Sequence, residues 1–112
     1  MPPEKERSEL LKGTLDMLIL KTLTVQPMHG YAIAQQIGRL SDDVLAVEQG
    51  SLYPALERLQ KKGWVTSAWG ETPTGRRARY YTITAAGRKA LGAEIDGFER
   101  VLGAIQAVLR RA

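Results

Sequence analysis

The chain has 112 residues and a mass of 12.4 kDa, enough for one domain with a single hydrophobic core. Its composition, 44% hydrophobic and 25% charged, is that of a globular protein, and no apolar run reaches the roughly 20 residues that span a membrane. The absence of cysteine excludes disulfides, thiolate metal sites and cysteine nucleophiles. Because no secretory signal follows the charged N-terminus, we expect a cytoplasmic protein.

The net charge of +4 is unevenly distributed along the sequence. Residues 57–89 contain eight Lys or Arg against two acidic residues, a net +6, whereas the rest of the chain has eight against ten, a net −2. A basic segment of this kind favours a polyanion such as double-stranded DNA as the partner. On charge alone, a solvated basic surface without a partner remains the alternative.

The first half of the chain predicts two helices. Residues 1–10 are predicted as an N-terminal tail, and apolar residues recur at spacings of four and three from Leu11, which predicts a helix that ends before Pro27. The segment 28–30 predicts a short turn. The apolar spacing over residues 31–40 predicts the second helix.

A third helix is predicted from a start between Gln49 and Ser51. Pro54 fits its first turn, and Gly63 fits the left-handed position that ends a helix. Its apolar face is formed by Leu52, Leu56 and Leu59. At 100° per residue, the opposite face carries Gly50, Pro54, Glu57, Arg58 and Lys61. Glu57 has two open interpretations, an ion pair with Lys61 or a hydrogen bond from a cytosine amino group.

A β-hairpin follows the third helix. Residues 64–69 and 79–83 are rich in aromatic and β-branched residues, and residues 70–77 between them form a predicted turn that ends in arginines. Alternation along an extended segment places Arg77 and Arg79 on one side and Arg76 on the other. The hairpin therefore predicts a basic wing over residues 70–79.

The last predicted helix is capped by Thr84 and carries an unbroken heptad pattern. A helix of about 25 residues is about 37 Å long, more than a small core can cover, so its C-terminal half is expected to pack against a second copy of the chain. The predicted dimer residues are Leu91, Ile95, Phe98, Leu102, Ile105 and Leu109. Gly97 beside Phe98 indicates either ordinary helix packing or a hollow at the dimer seam that takes a planar apolar effector.

This order of elements predicts a mainly α (α+β) fold, a winged helix-turn-helix followed by a long dimerisation helix. The DNA-binding domain spans residues 11–83 and the dimerisation helix residues 84–112. The recognition helix, residues 50–62, is expected to enter the major groove while the wing contacts the backbone. A winged-helix adaptor that binds an acidic protein is the alternative.

Five motifs in the same order closely resemble the PadR-like family of bacterial transcriptional regulators. They are GTLD at 13–16, MHGYAI at 28–33, QGSLYPAL at 49–56, GW at 63–64 and RYYTITAAG at 79–87. The resemblance extends from Leu11 to the C-terminus and implies a homodimeric winged-helix repressor whose C-terminal helices form the dimer interface. With one helix after the hairpin, the chain is similar to the short-tailed branch of that family.

The expected DNA contacts combine both lines of reasoning. The resemblance implies that Tyr31 and Tyr53 lie near the DNA backbone, and Ser51 is expected both to cap the third helix and to donate to a phosphate. The full predicted set is Tyr31, Gln49, Gly50, Ser51, Tyr53, Pro54, Arg58, Lys61, Thr74, Gly75, Arg76, Arg77 and Arg79.

We expect no metal site, cofactor or catalytic activity. His29 is the only histidine, and it is expected to bond a backbone carbonyl rather than a metal. Acidic pairs such as Asp42 and Asp43 have no nucleophile or cofactor-binding loop near them. The sequence therefore predicts a binding protein and not an enzyme.

Overall fold

The computed structural model describes the backbone of residues 4–112 and the side chains from residue 14 onward. The chain forms four helices and three strands: α1 (Glu4–Leu23), β1 (Met28–His29), α2 (Gly30–Leu40), α3 (Gln49–Lys61), β2 (Val65–Glu71), β3 (Arg77–Ile83) and α4 (Ala85–Arg111). This mixed arrangement confirms the predicted winged helix-turn-helix with a long last helix. None of the described helices combines the length and the apolar character needed to cross a membrane.

Two predictions were wrong, the start of the first helix and the nature of the segment that follows it. Helix α1 begins at Glu4 instead of Leu11, because the charged residues before Leu11 include no helix breaker and the apolar pattern alone does not mark a helix start. The segment 28–30 is not a simple turn, since Met28 and His29 pair with Tyr81 and Tyr80 as a short edge strand. Two residues are too few to show a strand period in the sequence.

The three strands form one antiparallel sheet in the order β1-β3-β2. In the hairpin, Val65 is opposite Ile83 and Glu71 is opposite Arg77. The register fixes which side chains share a face of the wing, and it therefore positions the arginines of the wing relative to α3.

The core lies where α1 is surrounded by α2, α3 and the sheet. Its fully buried side chains come mainly from α1 and α3 and are Leu15, Ile19, Leu20, Leu23, Ile33, Leu52, Leu56, Leu59 and Val65. The predicted apolar face of α3 is thus confirmed. Leu40 departs from the pattern that predicted α2, because it is 66% exposed at the end of that helix.

The junction between α3, β2 and α4 is tightly closed. Gly63 has a φ of 76° and ends α3 as predicted. Thr84 caps α4, its hydroxyl accepting from the Gly87 N–H at 3.0 Å and donating to the Gly63 carbonyl at 2.7 Å. A Cβ on Gly87 would overlap the Trp64 carbonyl oxygen, so this first turn of α4 needs a glycine.

Helix α4 extends well beyond the core. Only Leu91 of its heptad residues is buried, Ile95 is half-buried, and Phe98 is 41% exposed. The remaining heptad residues, Leu102, Ile105 and Leu109, are exposed. A single protomer therefore leaves an apolar stripe on this helix open to solvent.

Candidate nucleic-acid interface

The face of α3 opposite the core is exposed, as the helical period predicts. Most of the predicted contact residues of this helix lie there, namely Gln49, Gly50, Ser51, Tyr53, Pro54 and Lys61. The helix starts at Gln49 with Glu48 in the N-cap position. The prediction that Ser51 caps the helix was therefore wrong, because Ser51 already lies in the first turn, where its N–H bonds the Glu48 carbonyl at 3.0 Å.

Arg58 differs from the other predicted residues of α3. Its guanidinium Nη2 donates to Asp16 Oδ1 at 2.9 Å and ties α3 to α1. Lys61 and Glu57 remain on the exposed face and form an ion pair of 3.5 Å, one of the two interpretations that the sequence left open for Glu57. Arg58 thus has a half-buried partner on a neighbouring helix, whereas Lys61 is an exposed cation of α3.

The tip of the wing is a hydrogen-bonded turn between β2 and β3. The Thr72 N–H bonds the Arg76 carbonyl at 2.8 Å, and the Thr72 hydroxyl accepts from the Arg76 N–H at 3.1 Å. Gly75 takes a φ of 81°, which favours glycine. The tip exposes Thr74, Gly75 and Arg76, all predicted contact residues.

One face of the wing carries two arginines and a tryptophan. Arg77 and Arg79 lie on the same side, as predicted, with their guanidinium carbons 5.0 and 5.5 Å from the centre of the Trp69 ring. Arg79 also donates through Nε to the Ser67 hydroxyl at 2.9 Å. Arg77 and Arg79 are therefore held by neighbours on the same face of the sheet.

A groove of about 980 Å³ separates this face of the wing from α2 and α3. Tyr31 and Tyr53 line the side of the helices, and the basic face of the wing lines the other side. Tyr53 crosses the start of α2 because Gly30 has no side chain, since a Cβ there would come within 2.9 Å of the Tyr53 ring. A close backbone approach thus fixes α2 against α3.

Tyr81 lies in this groove and is buried. Burial raises the pKa of its hydroxyl above the ordinary value of 10.0, with Arg79 acting to lower it and Tyr53 to raise it. The hydroxyl is therefore protonated at neutral pH and offers a hydrogen-bond donor beside Arg79.

His29 caps α2. Its Nδ1 accepts from the Ala32 N–H at 3.2 Å, and its ring meets Tyr80 edge-on at 5.4 Å. The expected bond to a backbone carbonyl was wrong, because at a helix start it is the N–H groups that lack partners. Among the described residues, no group of three or more His, Cys, Asp or Glu side chains could hold a metal ion.

Comparison with known proteins identifies the family. Residues 19–93 match the family described as "Transcriptional regulator PadR-like family". The chain is 31% identical over 85 residues to an uncharacterized protein of Lysinibacillus sphaericus, covering 76% of this chain and 78% of the relative. The chain belongs to the PadR-like family of transcriptional regulators.

Solved structures of PadR-like and other transcriptional regulators share the fold of this chain. A transcriptional regulator from Clostridium thermocellum has a TM-score of 0.81 and 29% identity, covering 88% of this chain and 96% of that one. A PadR-like transcriptional regulator from Bacillus cereus has a TM-score of 0.78 and 25% identity, covering 93% and 99%. As a PadR-like protein, the chain is a DNA-binding regulator of transcription and not an enzyme.

Two residues that line the groove between the wing and the helices, Trp69 and Tyr81, were missing from the predicted DNA contacts. The register of the hairpin places Trp69 directly opposite Arg79 and Ser67 opposite Tyr81. That register depends on the length of the turn, and the sequence predicted a longer turn, over residues 70–77, than the 72–76 observed. The period-two alternation of β3 was the signal available for Tyr81, since it shares its side with Arg79.

Proposed function

We propose that this protein is a homodimeric repressor that binds operator DNA, with α3 in the major groove and the wing on the sugar–phosphate backbone. The groove between α3 and the wing carries the proposal, because it combines exposed tyrosines with Arg77 and Arg79 on facing walls. Tyrosine hydroxyls and arginines are frequent phosphate contacts, and the exposed residues of α3 are free to meet base edges. A bacterial DNA-binding regulator would work in the cytoplasm, where the chromosome lies.

The proposed contacts fall into two groups. Gln49, Gly50, Ser51, Pro54 and Lys61 belong to the exposed face of α3 and would lie in or at the edge of the major groove. Tyr31, Tyr53, Thr74, Gly75, Arg76, Arg77 and Arg79 would meet phosphates. Arg58 is left out, because its half-buried guanidinium is tied to Asp16 of α1, whereas Lys61 pairs with Glu57 on the exposed face.

Binding of a fluorescent random-sequence duplex, followed by anisotropy at several salt concentrations, tests this function. A DNA-binding protein releases counterions, so the logarithm of its affinity must fall linearly with the logarithm of the salt concentration. Operator selection from a random pool then tests for sequence specificity. Failure to bind any duplex at low salt, together with binding to an acidic protein, would favour the adaptor alternative.

The exposed apolar stripe of α4 supports the homodimer. Leu102, Ile105 and Leu109 continue the heptad of Leu91 beyond the core of the protomer, and a helix of the same kind is the simplest surface that covers them. The two protomers would then hold two α3 helices at a fixed separation. Half-sites on one face of DNA lie about 34–36 Å apart or at a multiple of that distance.

A hollow beside Phe98 supports an effector site at the dimer seam. A pocket of about 350 Å³ lies between α1 and α4, and its lining includes Met17, Gly97 and Phe98. A planar apolar compound bound there would change the separation of the α3 helices and release DNA. Titration of a planar fluorescent dye into wild type and Phe98→Ala tests the site, and equal affinities would contradict it.

A further inference from the structure

Trp69 contacts Arg77 and Arg79 on the face of the wing that lines the groove. It lies directly opposite Arg79 in the hairpin and diagonal to Arg77. Both guanidinium groups are within 5.5 Å of its ring centre, which is within the range of a cation–π interaction. A guanidinium that lies over an indole makes this contact without using its N–H donors, so they can still bind phosphate oxygens.

Trp69 is itself 58% exposed and does not belong to the core. The hairpin is held together without it, because on the opposite face the Tyr80 ring packs on Gly70 and its hydroxyl donates to the Glu71 carbonyl at 2.9 Å. The hydrogen bonds of Thr72 close the tip. A large aromatic side chain is thus left at the edge of the groove with no packing role that the wing requires.

We propose that Trp69 is a positioning residue of the DNA interface, which holds Arg77 and Arg79 toward the groove and is covered by a sugar–phosphate strand when DNA binds. Free arginine side chains lose much rotamer freedom on binding, and a side chain that is already ordered loses less. The indole also offers a flat apolar surface to a deoxyribose. This inference rests on the proposed DNA-binding function and names a contact outside the predicted set.

A double-mutant cycle tests the positioning role. Trp69→Leu is expected to weaken duplex binding about 5- to 30-fold, because two arginine side chains that are no longer ordered beforehand must then be ordered on binding. Trp69→Phe keeps a ring and should recover part of the loss. In the Arg77→Ala, Arg79→Ala background, the same Trp69→Leu change should have a clearly smaller effect, because the groups that it positions are gone and only its contact with a deoxyribose remains. An equal loss in both backgrounds would overturn the proposal, as would unchanged affinity of Trp69→Leu.

Tryptophan fluorescence tests whether DNA covers the ring. The chain has two tryptophans, so Trp64→Phe leaves Trp69 as the reporter and Trp69→Phe leaves Trp64 as the matched control. Saturating duplex should change the emission and the acrylamide quenching of Trp69 and leave those of Trp64 unchanged. Unchanged Trp69 emission at saturation would refute burial of the ring by DNA. Failure of the wild-type protein to bind any duplex would instead refute the proposed function itself.

Discussion

Replacing Arg77 and Arg79 together by alanine removes two exposed cations that share one face of the wing. Arg79 bonds Ser67 through Nε only, so its terminal nitrogens remain available to a phosphate. Because phosphate contacts carry no sequence information, the variant should bind every duplex more weakly and leave sequence preference intact. The fold should persist, since neither side chain belongs to the core.

The expected magnitude follows from counterion release. Each phosphate contact contributes about 0.9 to the slope of log affinity against log salt, so loss of two contacts should reduce the slope by about 1.8. Between 50 and 200 mM salt, the wild type should then lose about 12-fold more affinity than the variant.

Anisotropy titrations at four or more salt concentrations measure this slope. The matched control is Arg110→Ala with Arg111→Ala, which removes the same charge from exposed positions at the far end of α4. The control should keep the slope of the wild type. A wing variant with an unchanged slope, or a control with an equal reduction, would refute the role of the wing.

Three further changes test the parts of the fold that support this interface. Leu102→Glu places a charge on the apolar stripe of α4 and should give monomers by sedimentation, whereas Val44→Glu, at a position 80% exposed elsewhere, should not. Gly87→Ala should lower the free energy of unfolding in urea by about 1–3 kcal/mol because its Cβ meets the Trp64 carbonyl; Gly50→Ala, with open space around it, should not destabilise. Arg58→Ala should lower stability by about 1 kcal/mol and keep the salt slope of the wild type, so a reduced slope would return Arg58 to the interface.

Much of the fold could be predicted because its strongest signals are periodic and local. Leu52, Leu56 and Leu59 define the buried face of α3 through spacing alone, and Thr84 and Gly63 mark helix ends by their side-chain chemistry. Local signals of this kind depend only on residues that are close together in the sequence, so one sequence is enough to predict them.

The remaining features depend on contacts between distant residues. The partner of Arg58 is Asp16, 42 positions earlier in the chain, and no spacing rule relates the two. The edge strand of Met28 and His29 exists only because β3 lies beside it. Trp69 faces the groove because of the register of the hairpin. A change of one residue in the length of the turn would place its side chain on the other face of the sheet.

Amide chemical-shift mapping of the wild-type protein with a duplex decides whether α3 and the wing hold DNA. Titration should shift the amides of Tyr31 and of the non-proline residues in 49–61 and 69–79, and the indole N–H of Trp69, while the last two turns of α4 stay unchanged. All shifts should diminish as salt is raised. Shifts concentrated on α4 or on the connection 41–48, with the wing unaffected, would contradict the proposed interface.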